Sequence, residues 1–348
     1  MTTVKMSAPA RPAAPARHHG WRTSLAAFLT VLALAEAGAG VLAPRLPQNK
    51  WGLKELDEHA AQLEALGADH GERGSVLYAG SSSAGAAFDP SAIADALGCT
   101  AEHYVLWSNS GSGRSIAAIV PELGMARLDT ATVVIGVTSR ELNDAGARQS
   151  DAYQQIVTSS AWRRSVGAES VAMRLERVAG RWSNLVEHNS SLADPGTLLA
   201  SLRESDLGTD VDLEPDGRRA WTRSEELMLS ERHAAQEREA LEGFAVGGRE
   251  LAALEELIDS LHDQGVRVLL VDLPVLEEVW IPLHPGGAAD IGAYNAALAG
   301  LAERTGVELL AAATADGWDK SLFVDENHLN ARGATKLSAL VSEALAGC

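Results

Sequence analysis

Cysteine and positive charge are both scarce in this chain, and each shortage narrows what it does. Its 348 residues contain two cysteines, Cys99 and Cys348, far apart and at no metal-ligand spacing. A disulfide in an oxidising compartment and a pair of free thiols both remain open. Lys and Arg number 29 against 47 Asp and Glu, for a formal net charge of -18. Such a surface repels phosphate backbones and argues against nucleic acid as a partner. There is no fixed-period repeat. His18 and His19 lie in an N-terminal tail, and His262 and His284 have no acidic or thiol neighbour at ligand spacing. Gly111-Ser112-Gly113 lacks the third glycine of a dinucleotide fingerprint. Neither a metal nor an organic cofactor is expected.

What is present begins with an export signal. Residues 1–22 carry Lys5, Arg11, Arg17 and Arg22 with no acid, and an apolar run follows at 23–43. A basic flank before the ~20 apolar residues that span a bilayer is the positive-inside arrangement, with the tail in the cytoplasm and the rest exported. Glu36 lies near the outer end, where a charge reaches water. Ala35-Glu36-Ala37 also reads as a small-x-small cleavage site. An uncleaved single-pass anchor is favoured, with secretion after cleavage as the alternative. Residues 44–73, with Leu56, Ala60, Leu63 and Leu66 at helical spacing, read as a helical stalk.

From residue 74 short apolar runs alternate with helical patterns. Strands are expected at 76–79, 103–107, 132–137, 266–271 and 307–311. Asp89 or Ser91 caps a helix that Gly98 stops, and Pro121 bends the one covering 114–127. Residues 150–245, rich in Arg, Glu and Ala, break the rhythm as a helical insertion. The pattern predicts a flavodoxin-like three-layer α/β/α domain at 74–348 around a parallel five-stranded sheet, with that insertion and an N-terminal transmembrane helix. Ligands of such sheets bind beyond the carboxyl ends of the strands, where the polar clusters of this sequence fall.

A serine hydroxyl needs an adjacent base to attack at neutral pH. Asp325 and His328, three residues apart, let one turn hold a carboxylate on one ring nitrogen while the other faces a serine. Alone, such a pair reads as a loop salt bridge or a helix cap. In order along the chain come Gly80-Ser81-Ser82, Asn109-Ser110-Gly111-Ser112-Gly113, Asn143-Asp144 and Asp325-Glu326-Asn327-His328. This series resembles the four blocks of the SGNH/GDSL hydrolase superfamily, over residues 76–340. It departs from the family at Ser81, which stands in the place of Asp, and at Asn143, which Val137 to Leu142 separate from Gly136. Ser81-Ser82-Ser83-Ala84-Gly85 is a degraded Gly-x-Ser-x-Gly elbow, but an α/β-hydrolase separates its acid and histidine widely.

The resemblance implies Ser82 as nucleophile, His328 as base and Asp325 as the acid that orients it. It implies an oxyanion hole from the Ser82 and Gly113 backbone N–H groups and the Asn143 amide, with Thr138 or Ser139 as alternatives for that amide. Ser81 and Ser83 either cap the next helix or compete as nucleophile; Ser82 keeps the family register. The expected activity is that of an extracytoplasmic serine esterase or O-acyltransferase acting on an acyl ester of a cell-envelope glycan or lipid. The anchor and insertion resemble the envelope-polysaccharide acylation branch, which adds a membrane acyltransferase to the possible partners. The alternative is a catalytically weak or inactive scaffold of the same fold. Trp107, Trp280 and Trp318, near strand ends, suit either a platform for a sugar ring or core packing.

Overall fold

The computed structural model describes residues 20–42, 53–69, 74–98, 100–180, 182–188, 192–193, 213–219 and 227–345. Cys99, Cys348, His18, His19 and the basic tail to residue 19 lie outside them. The apolar runs pair as one parallel sheet in the order β2-β1-β3-β4-β5. Its strands are β1 (Ser75–Ser81), β2 (His103–Ser108), β3 (Thr130–Val137), β4 (Arg267–Asp272) and β5 (Glu308–Leu310).

Side chains alternate across each strand, and here both faces are apolar. Leu77 and Ala79 of β1, Val133 and Ile135 of β3, and Val268 and Leu270 of β4 enter one core. Val76, Tyr78, Val134, Leu269 and Val271 enter the other. A sheet apolar on both sides has to be covered on both sides. Helices α2 (Lys54–Asp69), α5 (Gly113–Ile119), α11 (Arg249–Asp263) and α13 (Ala288–Thr305) cover the first face. Helices α3 (Ser82–Ala87), α4 (Pro90–Leu97) and α14 (Ala331–Leu345) cover the second.

The stalk expected at 44–73 is corrected in its helical part. Leu56, Ala60 and Leu63 of α2 are buried in the first core, so this helix is a layer of the domain. Truncating Leu63 to alanine would cost ~2–5 kcal/mol, the usual price of a core cavity. Other local signals are met closely. The Asp89 side chain accepts from Ala92 N–H at 3.1 Å, and Gly98 closes α4 at φ 65. The helix expected over 114–127 is α-helical to Ile119 and then widens into a π-turn, Val120–Met125, around Pro121. Proline has no N–H to give and its ring crowds the preceding turn, which loosens the hydrogen-bond register.

Between β3 and α11 the described residues include helices α6 (Ala147–Thr158), α7 (Ser160–Ser165), α8 (Val171–Gly180), α9 (Asn184–Glu187) and α10 (Glu231–Ala240). Ahead of the domain, α1 (Gly20–Leu42) contains a 20-residue segment, Thr23–Leu42, of mean hydropathy 2.0 and 6% burial, long and apolar enough to cross a membrane. The chain leaves β1 for β2 on one side and returns to β3 on the other. The crevice opened by that reversal is where α/β sheets receive ligands.

Candidate active site

Strand β1 carries its chain straight to this crevice. Gly80 is required there, because a Cβ would lie 2.6 Å from Gly136 O and overlap Ala84. The Ser81 hydroxyl accepts from Ser83 N–H at 3.2 Å and caps α3. Ser83 Oγ is buried without a hydrogen-bond partner among the described residues. Of the three serines, Ser82 alone meets the histidine, with Oγ 3.0 Å from His328 Nε2.

His328 sits on a tight loop between Phe323 and Leu329, which form an antiparallel bridge. The Asp325 carboxylate closes the loop by accepting from Asn327 N–H and His328 N–H at 3.0 and 2.9 Å. The same carboxylate receives His328 Nδ1–H, with both oxygens at 2.9 Å. That bond fixes the tautomer and leaves Nε2 to accept from the Ser82 hydroxyl. Burial pushes the Asp325 carboxyl up, but the His328 ring, His233 and the backbone donors outweigh it and hold it at about 2. Asn330 then caps α14 through Arg332 and Gly333 N–H.

Above Ser82 lies a polar cleft of ≈ 200 Å³, lined by Ser82, Asn109, Ser110, Arg140, Arg148, Arg219, His233, Glu237, Asp325 and His328. Ser110 adopts the left-handed conformation at φ 52, uncommon for a residue with a Cβ, where the chain turns from β2 toward α5. Arg140, 3% exposed, gives Nη1–H to both Glu237 oxygens at 2.9 and 3.0 Å, while its Nε has no hydrogen-bond partner. Burial disfavours its charge, but Glu237 and Glu141 more than restore it. Arg219 lies over the Trp107 ring at 5.1 Å, and burial lowers it to about 10. His233 Nδ1 is 3.0 Å from Glu326 Oε1, and that contact raises its pKa.

Two of the three oxyanion donors expected from the sequence, those of Gly113 and Asn143, are engaged elsewhere. Gly113 N–H donates to Glu141 O at 3.0 Å, and the missing Cβ lets Glu250 O press against the Gly113 Cα. The Asn143 amide donates to Ala240 O at 2.9 Å, and its carbonyl accepts from Ala145 and Ala245 N–H. Asn143 therefore ties the β3 loop to the insertion. Thr138 gives both N–H and hydroxyl to Glu141 Oε2. Ser139 faces His284 and accepts from Trp280 Nε1–H. Donors at the cleft include the Ser82 N–H, first amide of α3 and without an intrahelical acceptor, and the Arg140 Nε–H, which has no hydrogen-bond partner among the described residues.

The tryptophans also differ from one expectation. Trp107 and Trp280 are buried, and Trp318 stacks beneath Lys336 at 4.2 Å, so all three pack rather than offer a free ring face. His233, Asp325 and Glu326 could together supply three metal-ligand atoms; here His233 Nδ1 lies 3.0 Å from Glu326 Oε1 and the Asp325 carboxylate is bonded to His328 Nδ1. The sequence reading missed Arg140, Arg148, Arg219, His233 and Glu237. Arg140 was within reach, since it follows directly on a strand end. The others reach the cleft from 148–237, where no local signal marks them. In comparisons with known proteins, no family model and no curated protein matches the chain.

Proposed function

We propose that this chain is a serine-dependent esterase or O-acyltransferase of the SGNH type, held at the outer face of a membrane by α1. The observation that carries the reading is the continuous series from Asp325 through His328 to Ser82, at 2.9 and 3.0 Å. In this mechanism Ser82 Oγ attacks the ester carbonyl as its proton passes to His328 Nε2, and Asp325 holds the imidazolium in place. The oxyanion is met by the Ser82 N–H and the Arg140 guanidinium. Collapse expels the alcohol, which takes the proton from His328 and leaves an acyl-Ser82. Water then makes the protein an esterase; a glycan or lipid hydroxyl makes it a transferase.

A fluorophosphonate probe tests the reading on the full chain. The probe is expected to label the wild type and not Ser82→Ala; absence of labelling with a folded wild type would sink it. A binding scaffold without turnover is the second reading, favoured by the engagement of Gly113 and Asn143 away from the cleft. The N-terminal helix supports a membrane location, with the basic tail inside and the α/β domain outside as the proposed orientation.

A further inference from the structure

We infer that the cleft selects esters whose alcohol part carries a carboxylate or phosphate. The inference rests on the serine chemistry proposed above. In a chain of net charge -18, three guanidinium groups converge on the nucleophile. The two carboxylates that share the cleft are already held, Asp325 by His328 and Glu237 by Arg140. Arg140 keeps an unpartnered Nε in a site where it is 3% exposed. Arg148 lines the same space with no ionic or hydrogen-bond partner among the described residues. Arg219 is fixed in place by stacking on Trp107 and remains cationic at neutral pH despite its burial. Guanidinium groups held in this way present planar donor pairs that match carboxylate and phosphate oxygens. A neutral ester leaves Arg148 unmatched, whereas an acidic one pairs with it.

Matched acetate esters test this on the full chain in detergent: 4-acetoxybenzoate, its neutral methyl ester, and 4-acetoxyphenyl phosphate. The anionic esters are expected to show about tenfold higher kcat/KM, falling with added salt as surface-accessible charge pairs do. Arg148→Gln and Arg219→Gln should compress that ratio, and the two acids separate carboxylate from phosphate selection. Fluorophosphonate labelling of Ser82 without an anion preference, through equal turnover or none, overturns this inference alone. Absence of labelling overturns the serine chemistry and this inference with it.

A different part of the molecule carries a second proposal: α8 lies in the outer leaflet of the membrane that α1 crosses. Outside α1, the exposed large apolar side chains among the described residues are Val171, Leu175, Val178, Trp182, Met228 and Leu229; the first three form one stripe along α8, and Trp182 lies two residues past its end. That stripe leads directly into α9, which is bonded to α1. Glu36 accepts from Ser183 Oγ–H at 2.7 Å, Asn184 N–H at 2.5 Å and Leu185 N–H at 3.3 Å, and Gly40 packs against Asn184. At ~1.5 Å per residue, Glu36 is about 9 Å inside the Leu42 end of α1, the depth at which an amphipathic helix lies in a bilayer surface. Trp182, 86% exposed, has the side-chain type that such interfaces favour. The full chain in vesicles containing brominated phosphatidylcholine tests it. The difference between wild-type and Trp182→Phe fluorescence is expected to be a quenched component. An unquenched difference, with Trp182 emitting as it does in plain vesicles, overturns the proposal.

Discussion

Two Ser–His–Asp series occur among the described residues, and they differ in what surrounds the same contact. Ser82 Oγ lies 3.0 Å from His328 Nε2, and Ser139 Oγ lies 2.9 Å from His284 Nε2. Both serines follow the carboxyl end of a strand. Behind His328, Asp325 takes Nδ1–H at 2.9 Å; behind His284, Asp290 is 3.8 Å from an Nδ1 that has no hydrogen bond. Ser139 is further occupied by Trp280 Nε1–H at 2.9 Å, beside a mostly apolar pocket. Burial drives His284 down to about 4, leaving it a poor proton acceptor at neutral pH. On the proposed reading, a serine–imidazole contact makes a nucleophile only with a close acid and an open cleft. The second series is packing.

Substitution can break that contrast at its strongest point. Ser82→Ala should remove probe labelling and lower kcat by ~10⁶. Ser139→Ala should leave labelling intact, and loss of labelling there would erase the distinction. Asp325→Asn is expected to cost ~10⁴ in kcat by releasing the wrong tautomer, whereas Asp290→Asn keeps the wild-type rate in the same assay. Arg140→Gln should lower kcat by ~10²–10³, the usual loss for one oxyanion donor. Arg140→Lys, which keeps a charge beside Glu237, separates that loss from unfolding when circular dichroism is read alongside. Asn143→Ala should lower stability by ~1–3 kcal/mol through unpaired backbone groups and hold kcat; a rate collapse with intact folding would return Asn143 to the oxyanion site.

The smallest expected effect concerns pH. Burial lowers the imidazoles of His59 to about 3 and of His103 and His284 to about 4. Their folded values lie below the unfolded value of about 6.5, so the unfolded chain binds more protons as pH falls. The stabilisation is full above about 6.5 and is lost toward pH 4. Thermal unfolding midpoints between pH 7.5 and 4 should fall accordingly, and His284→Asn should flatten the slope.

The parts of the fold legible in the sequence are those set by nearest neighbours. Apolar runs bounded by Gly98, Gly265 and Gly306 marked strands and helix ends, because turn conformation is a local cost. The helix at α2 was expected and is present, but its placement on a stalk failed, because a helix with one apolar face looks the same on a stalk as on a core. Ser82, Asp325 and His328 were legible as well, since a strand end and a one-turn pair are local patterns.

The oxyanion site was a different matter. An amide such as Asn143 bonds whichever carbonyl the fold brings to it, and the fold brought Ala240 from nearly a hundred residues away. Arg219 and His233 reach Ser82 only because the insertion folds back over the crevice. The sequence by itself determined the strands, the caps and the series of Ser82, His328 and Asp325. Only the tertiary structure decided which donors and which charges face the cleft, because those partners are chosen by distance in space, to which sequence spacing gives no guide.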